Sequence, residues 1–271
     1  MFRRIMRWLR GSSSDAGGIP AGQPPRAGGE LDAAALDVLR RAVPFYPALP
    51  APQRDRLHRL IAQFLAEKEF WGSQNLTVTY EMKVYIAAHA CLMLLGLSRL
   101  GLYPTAREII VFPSHFGESI ECIAPDGRRI VIHDHFIGQT WRRGPVLLSW
   151  DHINPAARGL MAGHNTIYHE FAHVLDLLDG EADGVPPLES ADQLPAWQRV
   201  MRAEFESLVA ADRAGRRSFL DPYGAQDPAE FFAVATEQFF EQPRRFQRLH
   251  RALYGQLRQF YKQDPAMWTG S

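Results

Sequence analysis

Apolar positions along this chain recur first at helical and then at strand intervals. Leu31, Ala35, Leu36, Leu39 and Val43 keep helical spacing until Pro44, Pro47 and Pro50 interrupt it. Leu57, Leu60, Ile61, Phe64 and Leu65 predict a second helix that ends near Trp71-Gly72. From Met82 to Leu97 the pattern is apolar nearly all round, as in a helix buried on every side. That run is too short, and too closely flanked by charge, to span a bilayer. His89 within it reads as a core histidine whose polar atoms are satisfied. The period then changes. Glu108–Phe112, bounded by Pro104 and Pro113, predicts a strand. The segments 119–123 and 129–133 flank Pro125-Asp126-Gly127 and predict a hairpin. Val146–Trp150 predicts one more short strand. The expected fold class is therefore α+β, with a small mixed sheet between an N-terminal helical layer and a mainly helical C-terminal part.

The C-terminal part carries the strongest helix signals. Asn165 is a good N-cap, Gly180 a good residue just past a C-terminus, and no proline lies between them. Ile167, Phe171, Val174 and Leu178 form an apolar stripe on that helix. His169, about 200° around from Ile167, faces the other way. A loop follows at 181–187, then a helix from Trp197 to Ala210 marked by Val200, Met201, Phe205 and Leu208. Asp227 and Pro228 open a last strong helix, with Phe231, Phe232, Ala235, Phe239 and Phe240 as its core face. Glu230, Val234 and Glu237 lie along a different stripe of that helix, two turns long.

Composition narrows the picture only modestly. The chain has 271 residues, 46% of them hydrophobic, enough for a sizeable core. Lys+Arg and Asp+Glu are both 30, so global charge gives no reason to expect direct nucleic-acid binding. Cys91 and Cys122 are too few for a disulfide framework and lack metal-ligand spacing, which suits reduced packing residues in a cytoplasmic protein. Residues 1–10 are basic and amphipathic but hold no continuous apolar core for a signal peptide. Residues 11–30, rich in Gly, Ser, Pro and Ala, read as a flexible linker. The expected organisation is a tail at 1–30 and one domain at 31–271, with a helical layer and sheet at 31–160 and the histidine-bearing helices at 161–271. The tail is expected to be dispensable for folding.

The chemistry concentrates in His169-Glu170-Phe171-Ala172-His173, an H-E-x-x-H core. Histidines four apart on a helix project the same way and can close on one metal ion, with Glu170 beside it as a base for a water. A chain of this length meets that pattern by accident at odds of roughly one in a hundred, and the cap signals and opposed apolar stripe weigh against accident. Glu230 has two readings from spacing alone: the third residue of a capping box opened by Asp227, or the third ligand of a zinc site. Asp176, three residues after His173 and on its face, is a candidate for orienting a ligand imidazole, and Glu237 a weaker one. His133-Asp134-His135 could chelate a metal from one strand face, but a polar strand end is the better reading.

Several stretches together resemble the Mlc titration factor A family of zinc-dependent peptidases. They are Gly163-His-Asn through His-Glu-Phe-Ala-His to Asp176, the Leu-Asp-Gly-Glu-Ala-Asp-Gly-Val-Pro loop, Asp227-Pro-Ala-Glu-Phe-Phe-Ala-Val, Arg107-Glu-Ile-Ile-Val-Phe-Pro-Ser and Pro145-Val-Leu-Leu-Ser-Trp-Asp. More distantly, the two key helices look like the catalytic domain of anthrax lethal factor. The resemblance implies a zincin-like metallopeptidase with one Zn2+ held by His169, His173 and Glu230, with Glu170 as general base and Tyr223 as a hydrogen-bond donor to the oxyanion. It implies a peptide or protein substrate, aminopeptidase action being one form of this. It also implies a partner, since bacterial members of the family bind a glucose-responsive transcriptional repressor of sugar uptake. A non-catalytic protein that sequesters a transcription factor is the alternative, and the intact Glu170 favours the enzyme. Helix geometry agrees on the carboxylate. Asp179 should be rotated about 240° from His173, and Asp176 should lie a turn further on with too short a reach, whereas Glu230 comes from a separate helix.

Overall fold

Helix α1 (Ala33–Ala42) starts where Asp32 accepts a hydrogen bond from the Ala35 amide at 2.7 Å. It is the first element of a computed structural model that describes residues 30–114, 119–123, 129–133, 145–154 and 164–268. The expectations for the tail at 1–29, and for Asp134 and His135, lie outside those residues. Helix α2 (Ala51–Glu67) follows Pro50 and buries Leu57, Ile61, Phe64 and Leu65. It stops four residues before the predicted end. Lys68 turns inward and donates to the Tyr103 carbonyl at 2.8 Å, and Glu69–Gly72 becomes strand β1. Pairing with a neighbouring strand decides this, and no local signal announces it. Gly72 is required there by close approach, because a Cβ would meet the Leu76 carbonyl oxygen at 1.7 Å. Helix α3 (Tyr80–Met93), capped by the Thr79 hydroxyl, is buried on all sides as its composition predicts. His89 is fully buried within it, with Nδ1 2.9 Å from the Tyr85 carbonyl oxygen.

Strand β2 (Glu108–Phe112) forms where expected, as do β3 (Ser119–Ile123), β4 (Arg129–His133) and β5 (Val146–Ser149). The expected single mixed sheet is replaced, among the described residues, by two separate ones. One is wholly parallel in the order β1-β2-β5, with Glu69 opposite Glu108 and Ile109 opposite Val146. The other is the antiparallel hairpin β3-β4, with Ser119 opposite His133. Helix α3 supplies the crossover that parallel pairing of β1 and β2 demands. Ile109–Phe112 is buried throughout, as a strand covered on both faces should be.

A short helix α4 (Trp150–Ile153) leads on to α5 (Thr166–Asp176), which continues as a 3-10 turn over Leu177–Asp179 to Gly180 at φ 100°. Helix α6 (Leu194–Arg213) is followed by a 3-10 turn at Pro222–Ala225 and by α7 (Pro228–Glu241), α8 (Pro243–Leu249) and α9 (Arg251–Tyr261). Helix α5 packs along α7 on one side and against α3 and β5 on the other. Phe171 anchors it, with its ring 4.5 Å from Tyr103 and 5.8 Å from Phe64 between centroids. Phe171→Ala is expected to cost about 3–5 kcal/mol, read as a lowered urea midpoint, and a loss below 1 kcal/mol would contradict this packing role. No helix among the described residues is long and apolar enough to cross a membrane.

Candidate metal centre

Helix α5 is fixed at its first residue. The Asn165 side chain accepts from the Ile167 amide at 3.1 Å, which satisfies one orphan donor of the first turn. The buried face runs through Ile167, Tyr168, Phe171, Ala172, Leu175 and Asp176. Val174 and Leu178, assigned to the core stripe from spacing, are only partly buried at its margin. His169 and His173 stand one turn apart towards α7, each side chain 13% exposed.

Helix α7 brings the carboxylate. Asp227 caps it by accepting from the Glu230 amide at 3.0 Å. The Glu230 side chain points to the histidines, with Oε2 3.0 Å from His169 Nε2 and 3.4 Å from His173 Nε2. The two Nε2 atoms are 3.2 Å apart. Two imidazole nitrogens and one carboxylate oxygen thus form a small triangle, all within 4.8 Å of one another. Tetrahedral zinc with bonds of 2.0–2.1 Å separates neighbouring donor atoms by about 3.3 Å, so these three residues fit such an ion.

Glu237, two turns along α7, acts on the outer nitrogen of the pair. Its Oε1 lies 2.8 Å from His169 Nδ1, and its Oε2 accepts from the Asn165 amide at 2.7 Å. Glu241 takes the Asn165 side-chain amide at 2.7 Å. With Nδ1–H donated to Glu237, the His169 lone pair sits on Nε2, where an ion would need it. Asp176 does not fill the place that spacing suggested. It is fully buried, and one oxygen accepts from the Gly184 amide at 3.0 Å while the other has no hydrogen-bond partner among the described residues. The expected bond from Asp176 to an imidazole is therefore not made. The helix does not end at His173 but runs on, so this aspartate is carried into the interior beneath the following loop. Burial pushes its pKa up to about 7, against the opposing Gly184 bond and His173 charge. Asp179 is exposed and, among the described residues, accepts from the Glu181 amide alone, at 3.1 Å.

Tyr223 sits on the 3-10 turn before α7, its amide bound to Asp221 at 2.7 Å, and its ring centroid is 5.8 Å from that of His169. It is 42% exposed, so it borders the site on the solvent side. Asp221 also pairs with His164 at 3.4 Å and so ties that turn to the residue before Asn165. Neither His164 nor Asp221 received a role from the sequence, because no pattern relates positions 57 apart. Glu170 is half-buried, and its charge reaches His169.

The electrostatics are those of coupled groups. Burial alone would depress the His169 pKa, but hydrogen bonds to Glu230 and Glu237, with the charges of Glu237 and Glu170, outweigh it and hold it well above 6.5. Burial would raise Glu230, yet its bonds to both histidines and their charges hold it far below 4.5. For the metal-free protein the signs follow from linkage. The His169 contribution is full below 6.5 and is lost as pH rises through its elevated folded value. The Glu230 contribution is full above 4.5 and is lost as pH falls through its depressed value. The metal-free melting temperature should therefore fall above pH 6.5, and metal affinity should rise, since an ion must displace the His169 proton. A melting temperature that climbed between pH 7 and 9 would contradict this. Glu237→Ala, which strips His169 Nδ1 of its acceptor, should weaken metal binding by about 10–100-fold; competition with a chromogenic chelator measures it, and unchanged affinity would remove Glu237 from this role.

A family model described as glucose-regulated metallo-peptidase M90 matches residues 26–262 of this chain. The chain belongs to the M90 family. Relatives align over most of its length. An uncharacterized protein of Synechocystis sp. is 37% identical over 84% of this chain and 83% of its own. Proteins named Mlc titration factor A from Serratia proteamaculans and Pectobacterium atrosepticum are each 32% identical, over 83% of this chain and 85% and 84% of theirs. An M90 metallopeptidase needs a metal, and His169, His173 and Glu230 are a group that could hold one.

Proposed function

We propose that this M90 protein is a zincin-like peptidase whose zinc ligands are His169, His173 and Glu230. The observation that carries the reading is the convergence of His169 Nε2, His173 Nε2 and Glu230 Oε2 on one point, with His169 Nδ1 committed to Glu237. When bound there, the ion supplies Lewis acidity, acidifying a water and polarising the scissile carbonyl. Glu170, one residue along α5 from His169, takes the proton from the attacking water and delivers it to the leaving amine. Tyr223, at the open rim, donates its phenol to the developing oxyanion. Glu237 holds the His169 ring and its tautomer through the cycle.

The test is metal removal. Dialysis against a chelator should abolish hydrolysis of a short peptide substrate, and one equivalent of Zn2+ should restore it. Hydrolysis that survives verified metal loss would sink the proposal. An aminopeptidase cleaves only substrates with a free α-amine, so N-acetylation of the peptide separates that form from internal cleavage. The relatives' name, Mlc titration factor A, favours a second role, binding of Mlc, and the family resemblance makes that partner a transcriptional repressor of sugar uptake. A pull-down with wild type and Glu170→Gln separates the two, since sequestration needs no base beside the metal. Equal capture by both variants would leave binding independent of catalysis, and absence of capture would remove the second role.

A further inference from the structure

The last two helices form a basic cleft that the peptidase reading does not use. From 242 to 263 the chain carries Arg244, Arg245, Arg248, Arg251, Arg258 and Lys262 with no Asp or Glu, although the protein as a whole has a net charge of zero. Helices α8 and α9 bring four of these arginines around a cavity of about 620 Å³, lined by Arg244, Arg248, Arg251, Tyr254, Gly255 and Arg258. Random scatter of surface charge would alternate signs, and here one sign is gathered into a concavity.

The counter-charge is incomplete. Asp264 pairs with Arg258 at 3.2 Å and accepts from the Tyr254 hydroxyl at 2.5 Å. Arg244 is held by neutral acceptors, the carbonyls of Ala266 and Trp268, both at 3.3 Å, so it is fixed in place with its charge intact. Arg248 and Arg251 make no ion pair with any described residue. The cleft thus keeps an excess of positive charge on guanidinium forks, whose geometry suits phosphate oxygens two at a time.

Gly255 supplies an independent observation. It lies inside α9, where glycine is the least favoured residue after proline, and a Cβ built on it would meet nothing within 4 Å. No close packing requires a glycine there. Its effect is to keep the cleft wall open between Arg251 and Arg258.

We propose that this cleft binds a small anion bearing two or more phosphate charges, at a site separate from the metal centre. A cavity of this volume falls in the range that encloses a small molecule, whereas a nucleic acid or an acidic chain would be met by a continuous basic band. The test titrates full-length protein with sodium tripolyphosphate in a calorimeter, at low and at physiological salt. One saturable site is expected, weakened by salt. Arg248→Gln combined with Arg251→Gln should reduce affinity by at least about tenfold. Gly255→Leu, which fills the cleft without touching any charge, should abolish binding and leave the melting temperature unchanged or raised. Citrate should bind more weakly than tripolyphosphate. Lack of saturable binding, or binding that survives both variants, would overturn the proposal. So would tighter binding of a 20-base oligothymidylate or of poly-glutamate that persists in Gly255→Leu, because that behaviour belongs to a polymer lying across the surface.

Discussion

Glu230→Ala is expected to lose stoichiometric zinc and peptide hydrolysis together, while Asp179→Ala retains both. Two imidazoles alone leave the ion without the charged ligand that completes a three-residue site. Glu230 Oε2 is the atom that lies against both Nε2 atoms, and no other described carboxylate joins that group. Asp179 is exposed and serves a local turn through the Glu181 amide. The comparison is informative because the alanine at 230 should not unfold the helix. Its N-terminus is capped by Asp227 through the residue-230 amide, which alanine keeps. Metal content by elemental analysis, hydrolysis of a fluorogenic peptide and a melting curve together decide the matter. Retained zinc and activity in Glu230→Ala, with both lost in Asp179→Ala, would reverse the assignment.

A second large effect is expected for Glu170→Gln, which preserves shape and removes the base. Hydrolysis should fall by at least the roughly 10²-fold typical of a lost general base, with zinc still bound because the residue is not among the three converging donors. The separation of metal content from rate distinguishes a base from a ligand. Full activity in this variant, in protein shown to be free of contaminating peptidases, would assign water activation to another group.

What was legible in the sequence was whatever local spacing encodes. The helix carrying His169 and His173, its Asn165 cap, the Gly180 stop and the Asp227-Pro228 start all depend on residues within a few positions of one another, and each forms as read. The stripe from Glu230 to Glu237 was visible for the same reason, since two helical turns place both carboxylates on one side. Spacing could not choose between cap and ligand for Glu230. In the folded chain Asp227 caps alone, and Glu230 turns to histidines some 60 positions away in sequence.

Tertiary structure decided everything that requires two distant segments to meet. Strand β1 exists because β2 lies beside it, and the same residues would otherwise extend α2. Among the described residues the hairpin does not pair with the parallel sheet, although alternation in each strand reads identically whichever neighbour it takes. Glu237 rather than Asp176 grips an imidazole, because the helix–helix packing sets Glu237 against His169 while the loop at Gly184 claims Asp176. Periodicity is a property of one segment and can be read from it. The direction a polar side chain finally takes depends on which partner packing delivers, and only the assembled fold supplies that partner.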